Sequence, residues 1–152
     1  RQWLFGIHRS SLDYPKGFLR QMLIRELRDV AILFNSGTGF TTSTADSAET
    51  FAINIGLRVV YKAAFVGTGY TAGAGRGYEE LREHVRRVQE IQGENAKVAL
   101  LFCTLEPDGN DAARIVAELG IDPSAVWISV APTMGTRFVQ AVGPRAAEYA
   151  FA

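Results

Sequence analysis

The stretch VAILFNSGTGFTTST, residues 30–44, decides the fold. Five apolar residues, Val30 to Phe34, stop abruptly at Asn35, and a run of Ser, Gly and Thr follows. A short, continuous apolar run is the pattern of a strand covered on both faces. The same event recurs three times. Residues 59–66 run into Gly67-Thr68-Gly69-Tyr70-Thr71-Ala72, and the glycines continue to Gly77. Residues 98–103 run into Glu106-Pro107-Asp108-Gly109-Asn110-Asp111, and residues 126–131 into Pro132-Thr133-Met134-Gly135-Thr136. Helical patterns fill the intervals. Ala45, Ala48, Phe51, Ala52 and Ile55 form one stripe, with Ser43 or Thr44 as its cap and Gly56 as its end. Tyr78, Leu81, Val85, Val88 and Ile91 form another, over residues 78–92. A third helix is expected over residues 111–119, capped by Asp108 or Asn110 and stopped by Gly120, and a last one from about residue 133. Before the first of these strands, Pro15 suits a helix start, and Phe18, Leu19, Met22, Leu23 and Leu27 recur at helical spacing.

With a further strand at residues 3–7, this alternation predicts a single α/β domain over residues 1–152. Its sheet is three-layered in setting, mainly parallel and of about five strands, with helices on both faces. Right-handed crossovers place the strand-end loops on one edge, where open α/β sheets hold their ligands.

Composition narrows the function. Sixteen Lys and Arg balance sixteen Asp and Glu in 152 residues, so the formal net charge is zero. Nucleic-acid and membrane-surface partners both favour an excess of positive charge, and neither is expected. Arg82, Arg86 and Arg87 lie among Glu79, Glu80 and Glu83, as on a solvated helix face. A single cysteine, Cys103, excludes an internal disulfide, and a reducing, cytoplasmic setting is expected. No apolar run approaches the ~20 residues of a membrane helix. Two histidines and one cysteine offer no zinc spacing, so no metal is expected. Both ends of the sequence are apolar, which reads as a piece of a longer chain.

The candidate site comes from the strand-end loops. Ser36, Gly37, Thr38, Gly39, Thr41 and Thr42 combine small residues, which admit an anion to the backbone N–H groups, with hydroxyl donors. No Gly-Lys-Ser/Thr follows, so this is not a Walker loop. Gly67, Thr68, Gly69 and Thr71 form a second loop whose GTGYTA fits the G-x-G-x-x-A pattern after a strand. The glycines then run on to Gly77, and the first acid beyond the next strand is Glu106, so the cofactor stays unassigned. Arg137 is the cation best placed to meet an anionic ligand. Cys103, at the end of an apolar run, reads as a small buried residue.

Two family resemblances rest on particular residues. The Thr-rich turn at residues 36–44 resembles the ribose-phosphate loop of type I phosphoribosyltransferases, with Asn35-Ser36 where that family has an acidic pair. Residues 29–106 resemble the first half of the thiolase fold, as in ketoacyl synthases and type III polyketide synthases. The matching pieces are Thr38-Gly39-Phe40, Ile55-Gly56-Leu57, Ala64-Phe65 and Thr71-Ala72-Gly73. That resemblance implies acyl-transfer ancestry, with Thr71 standing where the family has its nucleophilic cysteine.

The functional expectation is therefore the binding of a small anionic molecule, bearing phosphate or carboxylate, at the carboxyl edge of the sheet. The alternatives are a thiolase-like acyltransferase relic and a packing module of a larger protein. Partners beyond the ligand are a second copy or the remaining parts of a parent chain.

Overall fold

Asp29–Asn35 form β1, and every later strand is placed relative to it. The computed structural model describes residues 10–67, 76–92, 97–122, 125–129, 139–140 and 143. A 3-10 turn over Ser11–Asp13 leads into α1 (Tyr14–Ile24), followed by β1 and α2 (Gly39–Asn54). Then come β2 (Arg58–Phe65), α3 (Arg76–Gln92), β3 (Val98–Cys103), α4 (Asp108–Glu118) and β4 (Val126–Ile128). The four strands form one sheet in the order β2-β1-β3-β4, and all three pairings are parallel. The registers run from Asp29 opposite Arg58 to Asn35 opposite Phe65, and from Asp29 opposite Val98 to Phe34 opposite Cys103.

The expected α/β architecture with a parallel sheet is present. Among the described residues the sheet has four strands, not about five. The strand expected at residues 3–7 lies outside the described residues, as does most of the helix expected from residue 133.

The two-residue period of the strands divides the core. Val30 and Ile32 of β1, with Ala99, Leu101 and Cys103 of β3, join Leu19 and Met22 of α1 and Ala45, Ala48 and Ala52 of α2. Ala31 and Leu33, with Val98, Leu100 and Phe102, join Leu81, Val85 and Val88 of α3 and Ala112, Ile115 and Val116 of α4. β3 is buried along its whole length, which is why its sequence alternates nothing and is apolar throughout. The alanines of α2 let that helix lie close to the sheet. Phe51, on its half-buried side, carries Lys16 and Arg20 over its ring at 5.6 and 5.1 Å from the centroid.

Helix ends follow local chemistry. Gly56 and Gly120 take positive φ, 88° and 65°, after α2 and α4, as their sequence positions suggest. α1 has no such glycine, and Glu26 takes the left-handed conformation there instead, at φ 62°. The helix face around Arg82 is partly engaged rather than only solvated. Arg82 meets Glu118 of α4 at 3.7 Å, and His84 Nδ1 lies 2.8 Å from the Tyr61 hydroxyl.

Candidate functional site at the carboxyl edge

The chain leaves β1 toward β2 on one side and returns to place β3 on the other. The gap between the carboxyl ends of β1 and β3 is therefore the topological switch point, where open α/β sheets take their ligands. Both α2 and α4 begin at this edge, each with backbone N–H groups that have no intrahelical partner.

Asn35, the last residue of β1, is buried and faces this gap. Its Nδ2 donates to Asp108 Oδ2 at 2.5 Å, and its Oδ1 accepts from the Gly37 N–H at 2.7 Å. Ser36 ties the same loop to β2: its N–H and its hydroxyl both donate to the Phe65 carbonyl, at 3.0 and 3.2 Å. Gly67 closes in from the β2 exit. A Cβ there would stand 2.8 Å from Asn35 Nδ2 and 3.6 Å from Asp108 Oδ1, so only glycine fits without a shift. Gly77 of α3 lies beneath that exit. A Cβ on it would meet the Val66 and Gly67 carbonyl oxygens at 2.5 and 2.7 Å.

The start of α2 differs from expectation. Thr38, not Ser43 or Thr44, is the cap. It is extended, with φ −135° and ψ 142°, and its Oγ1 accepts from the Thr41 N–H at 3.2 Å. Thr41–Thr44 belong to the first turns of the helix, because Ser and Thr inside a helix donate back to carbonyls three or four residues earlier. Thr42 Oγ1 donates to the Thr38 carbonyl at 3.0 Å, Ser43 Oγ to Phe40 at 3.1 Å, and Thr44 Oγ1 to Phe40 at 2.8 Å. Thr41 is fully buried, and its hydroxyl donates to the Asn35 carbonyl at 2.5 Å. A hydroxyl has one hydrogen. The hydrogens of Ser36, Thr41, Thr42 and Ser43 are thus spent on backbone carbonyls, which corrects the expectation that these hydroxyls are free donors. The Thr38 hydroxyl lies 2.7 Å from that of Thr41. The first backbone N–H groups of α2, at exposed Gly39 and half-buried Phe40, have no intrahelical partner and stand at the positive end of the helix.

On the far side of the switch point, Thr104 and Ser129 bind each other at the exits of β3 and β4. The Thr104 N–H donates to Ser129 Oγ at 2.9 Å, and that hydroxyl donates to the Thr104 carbonyl at 3.0 Å. Both residues are fully buried. In the first turn of α4, Asp108 and Asp111 are also buried, and Asp111 pairs with Arg114 at 2.6 Å. Carboxylates in that turn suit the positive end of the helix. Pro107 holds the cap position of α4, with Asp108 as the first helical residue, so neither Asp108 nor Asn110 is the cap.

Of the predicted site residues, Ser36, Gly37, Thr38, Gly39, Thr41, Thr42 and Gly67 gather at the ends of β1 and β2. Thr68, Gly69, Thr71 and Arg137 lie outside the described residues. Asn35, Thr104, Asp108 and Ser129 are not among the residues that the sequence assigns to the site, although Asp108 is read there as a helix cap. Their signal was position alone: Asn35 and Thr104 directly follow expected strands, Asp108 stands at the next helix start, and Ser129 is a polar residue inside the expected strand 126–131. Which strands lie side by side is needed before these residues can be seen to converge. Cys103 is buried as expected, and burial pushes its thiol up to about 12. Among the described residues no group of three or more His, Cys, Asp or Glu side chains is placed to hold a metal. No described helix is long and apolar enough to cross a membrane.

No protein-family model matches the chain, and no curated protein does. Among solved structures it is similar to a protein described as a branched-chain amino acid ABC transporter from Rhodospirillum rubrum. The TM-score is 0.67 at 16% identity, over 94% of this chain and 37% of that one. The likeness is one of fold, and this chain spans little more than a third of that protein. It overturns the thiolase resemblance. The structure gives a local reason as well. That family sets its nucleophile on a buried helix, whereas the helix described after β2, Arg76–Gln92, exposes Arg76, Glu79, Glu83, Arg86 and Arg87. Of the described motifs that carried the resemblance, Thr38-Gly39-Phe40 is a strand-to-helix turn, Ile55-Gly56-Leu57 a helix-to-strand turn and Ala64-Phe65 the end of β2, features that parallel α/β sheets share in general.

Proposed function

We propose that this chain binds a small, carboxylate- or phosphate-bearing molecule at the carboxyl edge of its sheet, against the first turn of α2. The observation that supports this most is the meeting of three loops at the switch point. Asn35 is joined there to Gly37 and Asp108, with Gly67 pressed against it. These contacts tie the loop that leads into α2, whose first N–H groups have no intrahelical partner, to the other strand exits. A helix N-terminus so fixed favours an anionic group. The similar transporter is described by its branched-chain amino acid, a class that carries the carboxylate this edge suits. L-leucine, L-isoleucine and L-valine are therefore the first probes, with inorganic phosphate beside them. The reading takes the chain as one α/β domain whose two apolar clusters make a three-layered body around the sheet. A ligand on this edge has one wall, so the expected dissociation constant is about 1 mM, equivalent to roughly 4 kcal/mol.

Gly39→Pro tests the reading. Gly39 is the first residue of α2, where proline is favoured and its missing N–H leaves the helix intact. Thr38 already has the extended conformation that a following proline requires, and a Cβ at Gly39 meets nothing within 4 Å. The variant keeps the fold and removes one outward donor. Calorimetric titration should show affinity for the bound probe reduced about tenfold or more, since a hydrogen bond to a charged group contributes about 1.5–3 kcal/mol. Wild-type protein that binds none of the four probes, or a Gly39→Pro variant that binds as well as wild type, overturns the reading.

A further inference from the structure

We propose that Asn35 is the positioning residue of this edge and Asp108 its anchor. On this account one carboxamide sets the β1, β2 and β3 exits relative to one another. The inference rests on the site reading above, and its first measurement needs no ligand.

The argument is one of polarity. The Asp108 carboxylate takes a hydrogen from Asn35 Nδ2, and the Gly37 N–H gives one to Asn35 Oδ1. A side chain at position 35 must therefore donate at one end and accept at the other. A carboxamide does this and a carboxylate does not. The two partners also fix which way the amide faces, because a backbone N–H cannot bond to the NH2 end. Burial makes the arrangement costly to disturb: Asn35 is 8% exposed and Asp108 2%. Gly37 stands two residues before the first residue of α2, so its N–H is the handle by which the carboxamide holds the start of that helix. From the other side, a methyl group on Gly67 would reach 2.8 Å from Nδ2 and push the carboxamide away from Asp108. A change at any of the three exits is thus felt at Gly37.

The polarity argument makes a swap informative. Asn35→Asp alone sets two carboxylates against each other and breaks the tie. Asn35→Asp combined with Asp108→Asn restores both bonds, because the carboxylate at position 35 then accepts from Gly37 and from the new carboxamide. Amide hydrogen exchange, read by NMR, reports on the tie directly. Leu100 and Leu101 of β3 serve as reference for the global fold. Asn35→Ala removes the acceptor of the Gly37 N–H, and Asn35→Asp keeps an acceptor but loses its anchor on Asp108; each should speed Gly37 exchange about tenfold, with the β3 amides as protected as in wild type. The swap should return Gly37 to wild-type protection. Gly67→Ala, which leaves both partners in place, should also speed Gly37 exchange and serves if the variants at position 35 do not fold. The proposal is overturned if the swap leaves Gly37 as fast as in Asn35→Asp while β3 stays protected. It is equally overturned if Asn35→Ala, or Gly67→Ala in its place, leaves Gly37 unchanged.

Titration of the same proteins with L-leucine and with inorganic phosphate separates this from the site reading. If wild type binds neither of these nor L-isoleucine or L-valine, the site reading fails while the exchange data still decide the role of Asn35. If wild type binds one, affinity should fall with Asn35→Asp and return in the swap. Affinity that stays at the wild-type value in Asn35→Asp, with Gly37 exchange sped up, shows that Asn35 does not position the site and overturns the proposal.

Discussion

Gly77→Ala should destabilise the fold even though it puts a better helix former into a helix. Gly77 is the second residue of α3. An interior glycine-to-alanine change gains about 1 kcal/mol of helix propensity, and a position in the first turn gains less. Against this stand three contacts. The new Cβ would lie 2.5 Å from the Val66 oxygen, 2.7 Å from the Gly67 oxygen and 2.9 Å from the Gly67 carbon. All three are backbone atoms, so no rotamer change relieves them, and either the β2 exit or the start of α3 must move. Overpacking of this kind costs about 1–3 kcal/mol, and three rigid contacts belong at the upper end. The net effect is a loss of about 2 kcal/mol, or a melting temperature lower by about 4–8 °C for a chain of this size. Gly17→Ala is the matched control. It lies in α1 with nothing within 4 Å of the added Cβ, so it should gain up to about 1 kcal/mol. Urea unfolding of both variants, with unchanged m values, measures the difference of about 3 kcal/mol. A Gly77→Ala protein as stable as Gly17→Ala would refute the close approach of α3 to the β2 exit.

Two further outcomes follow from the same structure. Glu26→Gly should stabilise the protein by about 1 kcal/mol, because Glu26 is exposed and holds φ 62°, which disfavours any side chain; thermal melting checks it. Cys103 gives a pH dependence. Burial raises its thiol to about 12, so the folded state keeps a proton that the unfolded chain releases above about 8.5. Its contribution is complete below that pH and falls away as pH rises toward 12, at up to about 1.4 kcal/mol per unit. Cys103→Ala should flatten the decline in stability measured between about pH 8.5 and 10, where the unfolded thiol ionises and the buried one does not. Native Cys103 should also react slowly with iodoacetamide, and fast labelling without denaturant would contradict its burial.

The strands were legible because a sheet covered on both faces demands apolar runs. Residues 98–103 are a strand in both readings, and residues 30–34 and 59–66 differ from β1 and β2 by one residue at each end. Gly56 and Gly120 marked helix ends for the steric reason that they take positive φ. The end of α1 carried no such mark, since Glu26 does the same task at a cost. The start of α2 misled because Ser and Thr suit both a loop and the first turn of a helix, and their hydrogen bonds to earlier carbonyls decided for the helix. The site was legible as an edge and as the loop at residues 36–42, but not as a set of contacts. Asn35 and Asp108 are 73 residues apart. Only the strand order, which no local pattern encodes, puts β3 beside β1 and brings the two together. The thiolase resemblance failed for a related reason. Its described motifs were turns and a strand end shared by parallel sheets in general, and the order of strands and the exposure of α3 were not in them.

The central claim, that ligands meet this chain at the switch point between β1 and β3, is most directly tested by mapping amide shifts during titration with L-leucine and with inorganic phosphate. The account predicts saturable shifts at Gly37, Gly39, Phe40 and Gly67, and at Thr104 and Asp108 across the gap. Arg28, Gly56 and Lys97, at the opposite edge of the sheet, should stay still. Shifts concentrated at that opposite edge, or none at the switch point with either probe, would contradict it.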